Sequence, residues 1–116
     1  MREPSRDPNR LHHILEQIEI ITEYVNNHTY EELMSDRFHQ YGLVKSLEII
    51  GEAAYMLTKE FRAAHPKTNW NIIVNMRHVL VHGYFNITMP LVWETAIHDI
   101  PKLRPQIEEY IAELES

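Results

Sequence analysis

The residues that most constrain this chain are Leu43, Leu47, Ile50, Ala54, Leu57 and Phe61, which recur at alternating steps of four and three. On a helix that spacing draws one apolar seam suited to packing against other helices; on a strand the same residues would fall on both faces. A long helix here therefore needs partner helices. A second stripe, Val44, Glu48, Gly51 and Tyr55, runs beside the seam, and Gly51 would let a neighbouring helix approach closely.

The partners are legible on both sides. Upstream, Asp7 can cap a helix and Pro8 suits its first position. Leu11, Ile14, Leu15, Ile18, Ile21 and Val25 then form one apolar stripe, and Asn26-Asn27-His28 ends it. Thr29 with Glu32 spells a capping box that opens a short turn through Met34, after which Ser35 or Asp36 can cap the long helix. His65-Pro66 should stop that helix, because the residue before a proline avoids helical dihedrals.

Downstream, Asn69 caps a further helix with Trp70, Ile73, Val74, Met76, Leu80 and Val81 apolar, and Gly83 suits its C-cap. Thr88 opens another, with Leu91, Val92, Ala96 and Ile97 expected inward. Pro101 should kink or break it before helix resumes from Leu103 to Leu114. No strand pattern or repeat appears. The expectation is an all-α, up-and-down bundle of four to five helices, forming a single domain over residues 1–116.

Composition narrows the function classes. Only three glycines argue against a turn-rich β architecture, and the lack of cysteine removes disulfides and thiolate metal sites. The N-terminus is polar and charged, unlike a signal peptide, and no apolar run is long enough for a membrane span; a cytoplasmic protein without a membrane partner is expected. The formal net charge of −6 is the wrong sign for gripping nucleic acid along a broad basic face. Any nucleic-acid contact must be local or assembled from two subunits.

The functional signal is concentrated between Met76 and Phe85, in Arg77-His78-Val79-Leu80-Val81-His82-Gly83-Tyr84. His78 and His82 have the i, i+4 spacing of helical zinc ligands, but Val79 stands where a metalloprotease would place its glutamate. Neither a metal nor another cofactor is expected. Glu48 on an apolar stripe needs a partner: it either pairs with Arg77 and orients it, or pairs with Lys45 or another cation, while Glu52 is a weaker candidate. Trp70 and Trp93 read as core or interface residues rather than base-stacking platforms.

Arg77, His82 and Tyr84 together resemble the R-x4-H-x-Y motif of HepT proteins in the HEPN superfamily. The resemblance extends to Leu47 through Ala54, Pro66, Trp70 and Val92 through Thr95, and so covers nearly the whole chain in order. It implies a metal-independent endoribonuclease, acting on RNA rather than DNA as the toxin of a type VII-like toxin–antitoxin pair. It also implies a homodimer with both motifs at a shared cleft. The partner would be a nucleotidyltransferase antitoxin of the MNT type, which silences the toxin by transferring AMP to Tyr84. The alternative is a catalytically inactive HEPN-fold binding and dimerisation module that partners such a transferase. Histidine directly after the motif arginine departs mildly from the family's usual amide, which leaves His78 as a supporting residue of open role.

Physical chemistry makes the implied roles reasonable. Histidine changes charge near neutral pH and can act as base or acid. Arginine presents a fixed, permanently charged fork that matches phosphate oxygens. Yet Arg77 and His82 stand roughly 140° apart around a regular helix, at about 100° per residue. Either the helix loosens before Gly83, or a twofold axis brings the arginine of one copy near the histidine of the other. The second route is favoured, since it also concentrates positive charge from an acidic chain.

Overall fold

A computed structural model describes residues 6–82 and 88–116, the side chains of Val79, Val81 and His82 excepted. Every regular element among these residues is helical: α1 (Asp7–Asn27), α2 (Tyr30–Met34), α3 (Arg37–Met56), α4 (Lys59–Ala64), α5 (Trp70–His82), α6 (Met89–Glu94) and α7 (Ile100–Glu115). A π-helical turn, Thr95–Asp99, joins α6 to α7. The all-α bundle follows, with α1, α3, α5 and the α6–α7 run as its four long members. α1 packs on α3 and α7, and α3 packs on α5. No helix among the described residues is long and apolar enough to cross a membrane.

The core is the one the seams specify. Leu11, Ile14, Ile18 and Ile21 of α1 meet Leu43, Leu47, Ile50 and Ala54 of α3 and Leu103, Ile107 and Ile111 of α7. The capping box of α2 forms in full, with Thr29 Oγ1 accepting from the Glu32 amide at 3.1 Å and the Glu32 carboxylate accepting from the Thr29 amide at 2.8 Å. Asp36 caps α3 through the His39 amide at 3.1 Å, and Asn69 caps α5 through the Ile72 amide at 3.3 Å.

Four expectations need correcting. The long helix does not reach His65: it ends at Met56, Leu57 is extended, and Thr58 caps the separate α4 through the Phe61 amide. Asp7 is not an N-cap but the buried first residue of α1. Its carboxylate accepts from the Thr58 amide at 3.0 Å and the Thr58 hydroxyl at 2.8 Å, bridging 51 positions of sequence. A buried carboxylate holding the first turn of α4 is what makes the break after Met56 tolerable, since that turn's donors would otherwise lack partners. Leu91 is exposed, while Val92 and Ala96 of the same stripe are buried. Pro101 does not break the last helix. It falls in the first turn of α7, and the π turn before it shifts the bonding so that the Ile100 amide reaches Thr95 O. Proline's missing donor is thus absorbed by one loosened turn.

Candidate active site

Arg77 lies where α5 crosses α3, and the crossing is set by Gly51. A Cβ on Gly51 would sit 3.0 Å from Arg77 Cα and nearer still to its Cβ, so only glycine admits this approach. From the crossing the Arg77 side chain spreads over the outer surface of α3. Its Nε donates to Glu52 Oε2, and its guanidinium carbon stands 5.1 Å from the centre of the Tyr55 ring. That contact is a cation–π distance and orients the planar fork. The side chain keeps 28% of its surface exposed, so the charge remains open to a phosphate.

Glu48 does not orient Arg77. It accepts from Lys45 Nζ at 3.2 Å, leaving Glu52 as the carboxylate on the motif arginine. The sequence carried only half of this signal: Gly51 marks a close approach, but the fold alone shows that Arg77 is what comes in, beside positions 52 and 55. Position 48 lies almost a turn too early.

His78 is exposed on α5. His82 is the last residue of α5, and its side chain, like Gly83 and Tyr84, lies outside the described residues, as does the expected C-cap. The helix stays α-helical through His82, so no loosening appears between positions 77 and 82. Regular geometry keeps those positions about 140° apart. Positions 77 and 82 of one chain therefore fall on different sides of α5. Among the described residues no group of histidine, aspartate and glutamate is arranged to hold a metal ion.

A cleft of about 340 Å³ between α1 and α3 is lined by Arg10, His13, Lys45, Glu48 and Glu52, the last shared with Arg77. Arg10 Nε is buried without a hydrogen-bond partner. Sequence reasoning passed over Arg10, which has no distinguishing neighbour in the chain.

Known proteins resemble this chain over most of its length. The family model described as ribonuclease HepT-like matches residues 14–110. A protein of Caldanaerobacter subterraneus subsp. tengcongensis, named as a candidate RNase, is 41% identical over 87% of this chain and 90% of its own length. The probable ribonuclease HepT of Thermococcus cleftensis is 34% identical over 85% of this chain and 90% of its own. A candidate RNase of Methanocaldococcus jannaschii is 34% identical over 97% and 93%, respectively. No solved structure matches. With most of its length matched, from the first apolar stripe to the last helix, the chain belongs to the ribonuclease HepT-like family.

Proposed function

We propose that this protein is an endoribonuclease toxin that cleaves RNA without a metal, using Arg77 to hold the scissile phosphate and His82 to move protons. The observation that carries the reading is the mounting of Arg77: backbone pressed on Gly51, Nε fixed by Glu52, guanidinium over Tyr55, and charge still accessible. A donor fork oriented before substrate arrives stabilises a developing phosphorane without reorganising. In the proposed step a histidine takes the proton of the 2′-hydroxyl, and the freed oxygen attacks the adjacent phosphorus. The 5′-oxygen then leaves with a proton, and a 2′,3′-cyclic phosphate remains. The separation of positions 77 and 82 around α5 supports a homodimer in which one copy's Arg77 faces the other's His82. Two histidines at one cleft supply both base and acid.

Tyr84, two residues past His82, is the proposed acceptor of AMP from a nucleotidyltransferase antitoxin. The added phosphodiester would occupy the Arg77 donors that substrate phosphate needs.

The Arg77–Glu52 bond also supports a second reading, in which the arginine serves only the helix crossing and the chain is an inactive binding and dimerisation module. One set of assays separates the two. Purified protein is incubated with single-stranded RNA in EDTA, as wild type, Arg77→Ala and His82→Ala. The nuclease reading expects cyclic-phosphate ends from wild type, undiminished by chelator, and a loss of about 10²–10³-fold in each variant while the fold is kept. Folded, dimeric protein that leaves RNA intact establishes the second reading. Addition of AMP mass to wild type but not to Tyr84→Phe, given an active partner and ATP, checks the acceptor.

A further inference from the structure

A further cleft lies away from Arg77, between α4 and the start of α5. It encloses about 460 Å³ and is lined by Lys59, Arg62, Ala63, Pro66, Thr68, Asn69, Trp70 and Asn71. No carboxylate lines it, in a chain with 17 acidic and 11 basic residues. Glu60, between the two cations in sequence, does not contribute to the wall.

The cations here are uncommitted. Lys45, Lys67, Arg77 and Arg104 each face a carboxylate, whereas Lys59 and Arg62 make no ion pair among the described residues. Arg62 Nε is buried without a hydrogen-bond partner, a costly state for a charged donor unless something completes it. The first turn of α5 carries no acidic residue to offset the positive end of its dipole.

The cleft is also in line with the candidate active site. Asn71 lines it, and Asn75 and His78 continue the same side of α5 at successive turns, all three exposed. The next position on that stripe is 82. From Asn71 to position 82 the helix rises about 16 Å, a distance a short stretch of extended polynucleotide spans.

We propose that the Lys59–Arg62 cleft binds a backbone phosphate of single-stranded RNA remote from the scissile one, so that the strand runs along the Asn71–Asn75–His78 stripe of α5 toward position 82, where the proposed dimer brings the second copy's Arg77. The proposal rests on the reading of the protein as a ribonuclease. It explains how an acidic protein holds a polyanion: through two separated cationic points joined by a polar track.

The probe is a fluorescent single-stranded oligoribonucleotide of about twenty residues with 2′-O-methyl groups, which lacks the attacking hydroxyl and is not cut. Anisotropy titrations at several salt concentrations compare wild type with the double variant Lys59→Gln/Arg62→Gln. Loss of two charge-assisted contacts should raise Kd about tenfold or more. It should also flatten the dependence of log Kd on log salt by about one. Arg37→Gln/Arg104→Gln, which changes net charge equally away from the cleft, should stay within about twofold of wild type. Asn71→Asp, which puts a carboxylate in the cleft and leaves Arg62 packing intact, should weaken binding in the same direction and serves if the double variant fails to fold.

Wild-type Kd and salt slope in the folded double variant, or in Asn71→Asp, would overturn the proposal. So would equal weakening by the Arg37/Arg104 control. If RNA binding is unaffected but capture by a nucleotidyltransferase partner is lost, the cleft is a protein contact and the proposal fails. Cleavage that depends on Arg77 with binding indifferent to Lys59 and Arg62 sinks the cleft alone. Wild type that neither binds nor cuts RNA sinks the ribonuclease reading with it.

Discussion

Helices α1 and α5 make opposite use of their apolar residues. In α1, Leu11, Ile14, Ile18 and Ile21 are at most 1% exposed, because α3 and α7 clasp the helix from two sides. In α5 the apolar residues are denser, eight of thirteen, yet Ile72 is 65% exposed and Ile73, Val74 and Met76 are only half-buried. α5 packs mainly on α3. α5 thus holds its apolar residues less deeply than α1 holds its core stripe, and in the proposed dimer a second copy would cover part of what is left open.

Equal truncations in the two helices sharpen that contrast most. Ile18→Ala removes a fully buried side chain and should cost about 2–5 kcal/mol of unfolding free energy. Ile72→Ala removes an exposed one and should stay within about 0.5 kcal/mol. Urea unfolding of both, at concentrations where the chain is monomeric, reads the difference. Similar costs would mean that α5 is as deeply held as α1, and the contrast would be broken.

The next effect probes the contact that ties α5 to the bundle. Gly51→Ala places a Cβ against the Arg77 backbone, and the helices must separate by a few tenths of an ångström or more. Overpacking of this kind costs about 1–3 kcal/mol. Because the same shift carries Arg77 away from Glu52 and Tyr55, RNA cleavage should fall further than the folded fraction does. A variant that loses stability while keeping full specific activity per folded molecule would detach the crossing from the site.

What the sequence disclosed divides along the same line. The α1 stripe, the α3 seam as far as Ala54, the α2 capping box and the Asn69 cap all depend on residues within a turn or two of one another, and each formed as read. The errors arose where a distant partner decides. Asp7 looks like an ordinary cap until Thr58, 51 residues away, claims its carboxylate. The break after Met56 carries no proline and no glycine to announce it. Glu52 could not be ranked above Glu48 without knowing that α5 crosses at Gly51. The cations of the α4–α5 cleft, Lys59 and Arg62, carry no distinguishing pattern in the sequence, since only the fold shows which side chains lack a counter-charge.

The smallest effect concerns how the two helices that meet at Gly51 are started. α5 is capped by Asn69, which does not titrate, and α3 by Asp36, which does. Asp36 accepts from both the His39 amide, at 3.1 Å, and the His39 ring, at 2.5 Å. Those hydrogen bonds, the side-chain one foremost, hold its carboxyl below the ordinary value of 3.8. A depressed folded-state pKa means that Asp36 supports the fold above its unfolded value. That support is lost as pH falls from the usual carboxylate range through the folded-state pKa. Asp36→Asn keeps a capping side chain but removes the titration. Its stability should therefore decline less steeply than wild type below about pH 4, with little change near neutrality, because the pair is solvated and weak. Asn69→Asp makes the reciprocal test by placing a titrating cap on α5, and should add an acid-sensitive step there. Denaturant midpoints measured from pH 6 down to pH 3 for the two variants and wild type would show both slopes, and superimposable curves would mean that neither helix start contributes to the acid limb.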